Sequence, residues 1–231
     1  MAQNTSERTK KIALSAIFCA LAFLTTLLPV PKVNGFLSFD IKDTVITLAG
    51  LLLGPSVAVT LSLAVPLLEM ATVGSTLFWG LLMDILSSLA FSLTASFLYK
   101  SSKTLGGALL SLTTAVAIQV ATMMVANIII TPLYTGAPRS AVLAMLIPVL
   151  LPFNALKSIF NASLVMALYK PTAEALRHAG LLSVAHGGGK RRSYRFDGRS
   201  ALVLLSSLLL IAGALLVLFL VMDASYGGGR A

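Results

Sequence analysis

The apolar stretch TVITLAGLLLGPSVAVTLSLAVPLL, residues 44–68, decides how many times this chain crosses a membrane. Proline lacks an N–H and clashes with the preceding helical turn, so Gly54-Pro55 either kinks one helix or separates two. Outward from it, further apolar runs occupy residues 12–28, 76–99, 105–132, 141–169 and 201–222. About 20 apolar helical residues cross a bilayer. The pattern therefore predicts a protein with several membrane-spanning helices.

Composition supports the same class. The chain is 57% hydrophobic and only 11% charged, with a mean hydropathy of +0.94, whereas a soluble domain carries about 25% charged residues. Alternating strand-like patterning is absent, so the spanning elements are predicted to be helices and not a barrel. We expect an all-α integral membrane protein in contact with lipid.

The basic residues determine orientation. The net charge of +9 does not predict nucleic-acid binding, because the basic residues gather in 8–11, 100–103 and 170–199, beside the ends of apolar runs, as in cytoplasmic flanks. If Gly54-Pro55 separates two helices and the N-terminus is cytoplasmic, twelve Lys and Arg residues lie inside and four outside. One kinked helix would leave five inside and eleven outside. Because Lys and Arg concentrate inside, the boundary between two helices is favoured.

This orientation predicts six helices up to Tyr169 and a seventh over 201–222. The second helix, residues 44–53, is too short to cross alone at about 1.5 Å per residue, so protein must surround it. The predicted organisation is a membrane domain over 1–170, a basic cytoplasmic linker over 171–199, an additional transmembrane helix over 200–223 and a short tail over 224–231.

Polar residues within the apolar segments are the candidate site, because ionisable groups in lipid are costly and mark function or a buried pairing. Asn154, Lys157 and Asn161 stand at i, i+3 and i+7, on one face of the sixth helix. One interpretation pairs Lys157 with Asp84, with the amides bonding between helices. The interpretation we favour is a polar pocket that opens outward and meets the carbonyl groups of a ligand. Glu69 is a further ionisable group near the end of the third helix.

The first helix carries a stripe of small residues, Ala13, Ala16 and Ala20, which would allow another helix to approach closely. Such stripes are common inside bundles, so alone this one is weak evidence for a partner protein.

The chain lacks the motifs of an enzyme. There is no Walker A sequence, HExxH or GxSxG. His178 and His186, the two histidines, lie in the basic tail, so we expect no metal site in the membrane. We predict a protein that is not an enzyme. If it moves a ligand uphill, the energy would come from an ion gradient or from another subunit.

Four sequence strings carry a resemblance to a known family. They are GFLSFD at 35–40, LAGLLLGP at 48–55, NIIITPLY at 127–134 and LPFNALK at 151–157. In order and spacing they resemble the riboflavin-type substrate-binding S components of energy-coupling factor (ECF) vitamin transporters, over the chain from the first helix to about Lys170.

The resemblance implies a six-helix bundle that holds riboflavin near the extracellular side, under the loop between the first two helices. It implies that Asn127, Asn154 and Lys157 contact the flavin. Apolar and aromatic side chains could cover the ring; the candidates are Phe36, Leu37, Phe39 and Phe153.

The resemblance also implies the partners and the location. The alanine stripe would dock on a membrane-embedded T component, and two ATPase subunits would supply energy. Riboflavin would be the transported ligand, with no cofactor, and the location would be the bacterial plasma membrane.

The fourth helix departs from the riboflavin-type pattern. That pattern has Gly-Glu where this chain has Gly80-Leu81-Leu82-Met83-Asp84. Asp84 and Glu69 are the candidates for the acidic ligand contact. Two alternatives follow: the same fold could take another vitamin or a flavin analogue, or the protein could be a self-sufficient ion-coupled transporter with Glu69, Asp84 and Lys157 as a relay.

Overall fold

The structure, a computed structural model, describes residues 2–28, 32–33, 37–73 and 77–182, together with the single positions 206, 209 and 213. Contacts group the chain into two compact units, Met1–Ala162 and Ser163–Ala231. Most of the second unit lies outside the described residues. The same holds for the predicted linker beyond residue 182, the seventh helix apart from those three positions, and the tail.

The described elements are helical, apart from one short hairpin. They are α1 (Ala2–Thr26), β1 (Lys32–Val33), β2 (Leu37–Ser38), α2 (Lys42–Leu53), α3 (Pro55–Thr72), α4 (Leu77–Ser88), a π turn (Leu89–Leu93), α5 (Thr94–Ser101), α6 (Leu105–Thr135), α7 (Arg139–Met145), a second π turn (Leu146–Leu150) and α8 (Leu151–His178). Strands β1 and β2 pair antiparallel, with Val33 opposite Leu37.

Five helical stretches of the described residues are long and apolar enough to cross a membrane. They are Ser6–Thr26, Pro55–Thr72, Phe78–Ser101, Leu105–Thr135 and Arg139–His178. Together with the short α2 they account for the six predicted helices, and they confirm the prediction of an all-α membrane protein.

The boundary at Gly54-Pro55 is confirmed. Helix α2 ends at Leu53 and α3 begins at Pro55, where the missing N–H of proline costs no hydrogen bond. Gly54 between them has φ +107°, a conformation that side chains with a Cβ disfavour.

Protein surrounds α2, as its length requires. Nine of its twelve residues are buried, and the helix contacts α1, α3 and α5. Gly50 makes this approach possible, because a Cβ at that position would lie 2.0 Å from Ser96 Oγ and 2.8 Å from Ala58 Cβ. The polar N-terminal end of α2 is thereby carried into the interior of the bundle.

Two helices extend beyond their predicted ends, because polar residues continue the helix past the apolar run. Helix α1 begins at Ala2, ten residues before the predicted Ile12, and ends at Thr26 instead of Leu28. Helix α8 continues through Pro171 to His178, beyond the predicted Tyr169. Hydropathy detects only the apolar part of a helix, since turns that extend past the hydrocarbon layer carry hydrated polar side chains. Hydropathy also does not predict the two π turns, which interrupt the fourth and sixth predicted helices.

Candidate substrate-binding site

The predicted polar face of the sixth helix lies inside the bundle. Asn154, Lys157 and Asn161 on α8 are 5%, 7% and 0% exposed. Ser158, between them, is also buried and donates from Oγ to Gln119 Oε1 at 2.7 Å. Sequence spacing therefore identified a set of polar side chains that do share one buried surface.

Lys157 pairs with Asp40, in the segment just before α2. Its Nζ lies 2.6 Å from Asp40 Oδ2. The interpretation that paired Lys157 with Asp84 is wrong, because Asp84 forms its ion pair with Lys42. Asp40 and Lys157 are 117 positions apart in the sequence. Only the folding of the loop before α2 onto α8 brings them together.

Asp40 is held at several atoms. Its backbone carbonyl accepts from Asn161 Nδ2 at 3.2 Å. Its second carboxylate oxygen, Oδ1, is buried and has no hydrogen-bond partner among the described residues. Burial raises the pKa of the Asp40 carboxyl, but the charges of Lys157 and Lys42 and the hydrogen bonds of both outweigh burial and leave that pKa below its ordinary value. Asp40 is therefore a carboxylate at neutral pH.

Lys42 joins three helices through two carboxylates. From the first turn of α2 its Nζ lies 2.6 Å from Glu69 Oε2 on α3 and 3.0 Å from Asp84 Oδ1 on α4. A cation at a helix N-terminus opposes the helix dipole, so these carboxylates offset an otherwise unfavourable position. In the sequence, Lys42 lies just before the predicted second helix, residues 44–53, and was not a candidate for the site. The available signal was its position beside a helix too short to cross alone.

Asp43 anchors the same end of α2 to α4 and α6. Its Oδ1 accepts from Ser88 Oγ at 2.5 Å, and its Oδ2 accepts from Gln119 Nε2 at 3.2 Å and from Ser87 Oγ at 3.3 Å. Two hydroxyl groups of α4 and one amide group of α6 thus donate to a carboxylate that is 0% exposed. Charge-assisted hydrogen bonds of this kind make its burial tolerable.

The amides expected to contact a ligand bond within their own helices. Asn127 Nδ2 donates to Met123 O at 2.7 Å and its Oδ1 accepts from Thr131 at 2.9 Å. Asn154 Nδ2 donates to Leu150 O at 2.8 Å. Both side chains are buried, but neither amide bonds to Lys157, so the structure does not join the three predicted contacts directly.

The residues predicted to cover the flavin ring lie beside the buried polar face of α8. Leu37 and Phe39 are 7% and 6% exposed. The Phe39 ring meets Phe153 edge to face at a centroid distance of 6.3 Å, and Phe160 at 5.0 Å. Phe36 lies outside the described residues. The segment before α2 therefore places an aromatic side chain directly against α8.

The alanine stripe on α1 points away from the bundle. Ala13, Ala16 and Ala20 are exposed, whereas Leu14 and Phe18 on the opposite face are 2% and 5% exposed. A stripe of this kind on an outer face leaves room for a helix of another protein.

The fold and the site define a helical membrane protein with a polar, charged interior. The family described as "ECF transporter, substrate-specific component" matches residues 10–169. The chain belongs to this family. Among solved structures, it is similar to that of the S component of a bacterial ECF transporter, with a TM-score of 0.63 and 23% identity. The similarity covers 74% of this chain and 99% of that one. No curated protein matches it.

Proposed function

We propose that this substrate-specific component captures riboflavin from the extracellular side, with its N-terminus in the cytoplasm. A T component driven by two ATPase subunits would then complete the import. The observation that carries this proposal is the buried face of Asn154, Lys157 and Asn161, next to Phe39. An isoalloxazine ring is flat and apolar, with carbonyl groups and an N–H along one edge, and such a surface matches both parts.

Binding would exchange internal contacts for contacts with the ligand. The Lys157 ammonium would turn from Asp40 to a flavin carbonyl, and the amides of Asn127 and Asn154 would turn from main-chain carbonyls to the polar edge. The amides and the Lys157 ammonium would stay hydrogen-bonded through this exchange. The Asp40 carboxylate would lose its ion-pair partner, and this is the cost that the contacts with the flavin must exceed.

Visible absorbance and flavin fluorescence test this ligand. The protein purified in detergent should carry a flavin spectrum, or should quench riboflavin fluorescence on titration. A colourless protein that leaves the fluorescence unchanged would rule out riboflavin.

Substitution tests the site residues. Asn154→Ala and Lys157→Ala should each weaken riboflavin binding about 10-fold or more, roughly 1.4 kcal/mol. Lys100→Ala, at an exposed position at the end of α5, is the matched control and should bind like the unmodified protein. Unchanged affinity in both site variants would remove these residues from the site.

The α1 stripe is proposed as the docking surface for the T component. Ala16→Leu or Ala20→Leu should spare riboflavin binding and reduce uptake in cells that contain the T component and ATPases, because a bulky side chain separates the two helices. Ala117→Leu, exposed on α6, controls for added bulk. Normal uptake by both α1 variants would argue against this surface.

A second candidate is another vitamin or a flavin analogue. It is favoured by the contact of Lys42 with Glu69 and Asp84, in the region where the riboflavin-type pattern has a different acidic residue. Titration with a panel of vitamins distinguishes the two candidates.

A self-sufficient ion-coupled transporter has less support, since Lys157 pairs with Asp40 and not with Glu69 or Asp84. This alternative would be supported if the protein took up its ligand in the absence of the ATPase subunits and if that uptake stopped when the proton gradient was removed.

A further inference from the structure

The Asn161 side chain uses both of its donors on protein groups. Its Nδ2 donates to the backbone carbonyl of Asp40 at 3.2 Å and to that of Lys157 at 3.1 Å. Its Oδ1 accepts from Thr44 Oγ1 at 2.5 Å. An asparagine amide has two N–H donors and one carbonyl oxygen, so neither donor is left for a ligand. Asn161 is also 0% exposed, and it is therefore bound to the protein through its whole amide group.

Asn161 and Thr44 hold the start of α2 against α8, one helical turn from Lys157. The Thr44 N–H donates to the Ile41 carbonyl at 3.1 Å. The Asp40 carbonyl and the Thr44 hydroxyl, which both contact Asn161, therefore belong to one short turn of the chain. The Asp40 carboxylate meets Lys157 through Oδ2, and its Oδ1 has no hydrogen-bond partner among the described residues. The position of this carboxylate thus depends on the backbone that Asn161 fixes.

We propose that Asn161 and Thr44 are positioning residues and not contacts for the ligand. Their role is to fix the Asp40 carboxylate opposite Lys157. This inference rests on the proposed function of the site, since it gives a role to the polar residue of this face that the riboflavin contacts leave unassigned. The attraction between an ammonium and a carboxylate weakens as the groups separate and as water enters between them. In the proposed binding step riboflavin replaces Asp40 at Lys157, so the two positioning residues set how strongly Asp40 competes with the ligand.

A double-mutant cycle on the ligand-free protein tests the positioning role. Asp40→Asn, Lys157→Met and the double variant are unfolded with denaturant in detergent micelles, first in the unmodified chain and then together with Thr44→Val. The valine substitution keeps the shape of the side chain and removes its hydroxyl. We expect the unfolding equilibrium constants to show a coupling between Asp40 and Lys157 of about 10-fold, which falls to about 3-fold or less when Thr44 is replaced. A coupling that Thr44→Val leaves unchanged would overturn the inference, because Thr44 would then contribute only general stability.

Two further substitutions in α2 are the controls. Thr44→Ser keeps the hydroxyl and should preserve the coupling to within about 2-fold. Thr47→Val removes a hydroxyl that is also buried, but whose partners are the Asp43 carbonyl and Ser92 Oγ, away from α8. It should lower stability and leave the coupling unchanged. If Thr47→Val reduced the coupling as much as Thr44→Val, the role assigned to Thr44 would be wrong.

Asn161→Ala removes the other side of the same contact and should reduce the coupling in the same way. It decides the inference by the same criterion if Thr44→Val fails to fold. The cycle needs no ligand, so its result is separate from the identity of the vitamin. A reduced coupling in a protein that does not bind riboflavin would support the positioning role and reject riboflavin as the ligand. Riboflavin binding with an unchanged coupling would support the ligand and overturn the positioning role.

Discussion

Two lysines are buried in the described part of the membrane domain, Lys42 and Lys157, and they have different surroundings. Lys42 is 1% exposed and has two carboxylate partners, Glu69 and Asp84, on two other helices. The Lys157 side chain is 9% exposed, and within the described part of the chain it has one ion-pair partner, Asp40. The second carboxylate oxygen of Asp40 is buried and accepts no hydrogen bond from the described residues. Lys42 therefore binds helices together, whereas Lys157 has a single contact that a ligand could replace.

The difference shows how one helical bundle can contain a lysine whose ion pairs persist, Lys42, and a lysine whose ion pair a ligand can replace, Lys157. Removing a cation that satisfies two carboxylates leaves two charges uncompensated, so that contact is expected to persist through binding. An ion pair on a loop next to an aromatic contact can separate if a ligand supplies new acceptors for the ammonium group. The predictions below separate these two roles.

The largest effect is expected from Lys42→Met. It keeps a long side chain but leaves Glu69 and Asp84 without their shared cation, at a cost of about 3 kcal/mol in the free energy of unfolding. Denaturant titration in detergent micelles measures this change. Lys100→Met, at an exposed position, is the control and should change stability by less than about 0.5 kcal/mol. Equal stability of Lys42→Met and the control would show that the Lys42 contacts do not hold the helices together.

A smaller loss of stability is expected from Lys157→Met. Only one carboxylate, Asp40, loses its partner, so we expect a cost of about 1–3 kcal/mol. The same titration, run beside Lys42→Met, measures the difference, while flavin titration should show weakened binding. If Lys157→Met destabilised the protein more than Lys42→Met, the assignment of Lys42 as the structural lysine would be wrong.

The smallest effect concerns pH. Because the pKa of Asp40 is lowered in the folded protein, its ion pair contributes stability above the ordinary aspartate pKa of about 3.9, and this contribution is lost as the pH falls through the lower folded value. Asp40→Asn should therefore be less stable than the unmodified protein at pH 6, and the gap should close toward pH 3. Stability measured at both pH values checks this, and a constant gap would contradict the assigned pairing.

Part of the site could be predicted from spacing. Asn154, Lys157 and Asn161 lie on one buried face because helical periodicity places i, i+3 and i+7 together whatever the neighbours are. Their partners could not be predicted in this way. Asp40 precedes α2 and Lys42 begins it, and the sequence predicts a loop at both positions. The contact of Asp40 with Lys157 spans 117 sequence positions, and the contact of Lys42 with Glu69 spans 27. The assignment of Lys157 to Asp84 failed for the same reason.

The sequence alone determined that this is a helical membrane protein and that Gly54-Pro55 is a helix boundary, because apolar length, the missing proline N–H and the distribution of basic residues are local properties. Only the tertiary structure decided which charges meet. In the structure, the N-terminal end of α2 lies inside the bundle, Lys42 lies between Glu69 and Asp84, and Lys157 forms its ion pair with Asp40. Pairing in a low-dielectric interior depends on distances of a few ångströms between residues far apart in the chain, and no periodicity encodes those distances.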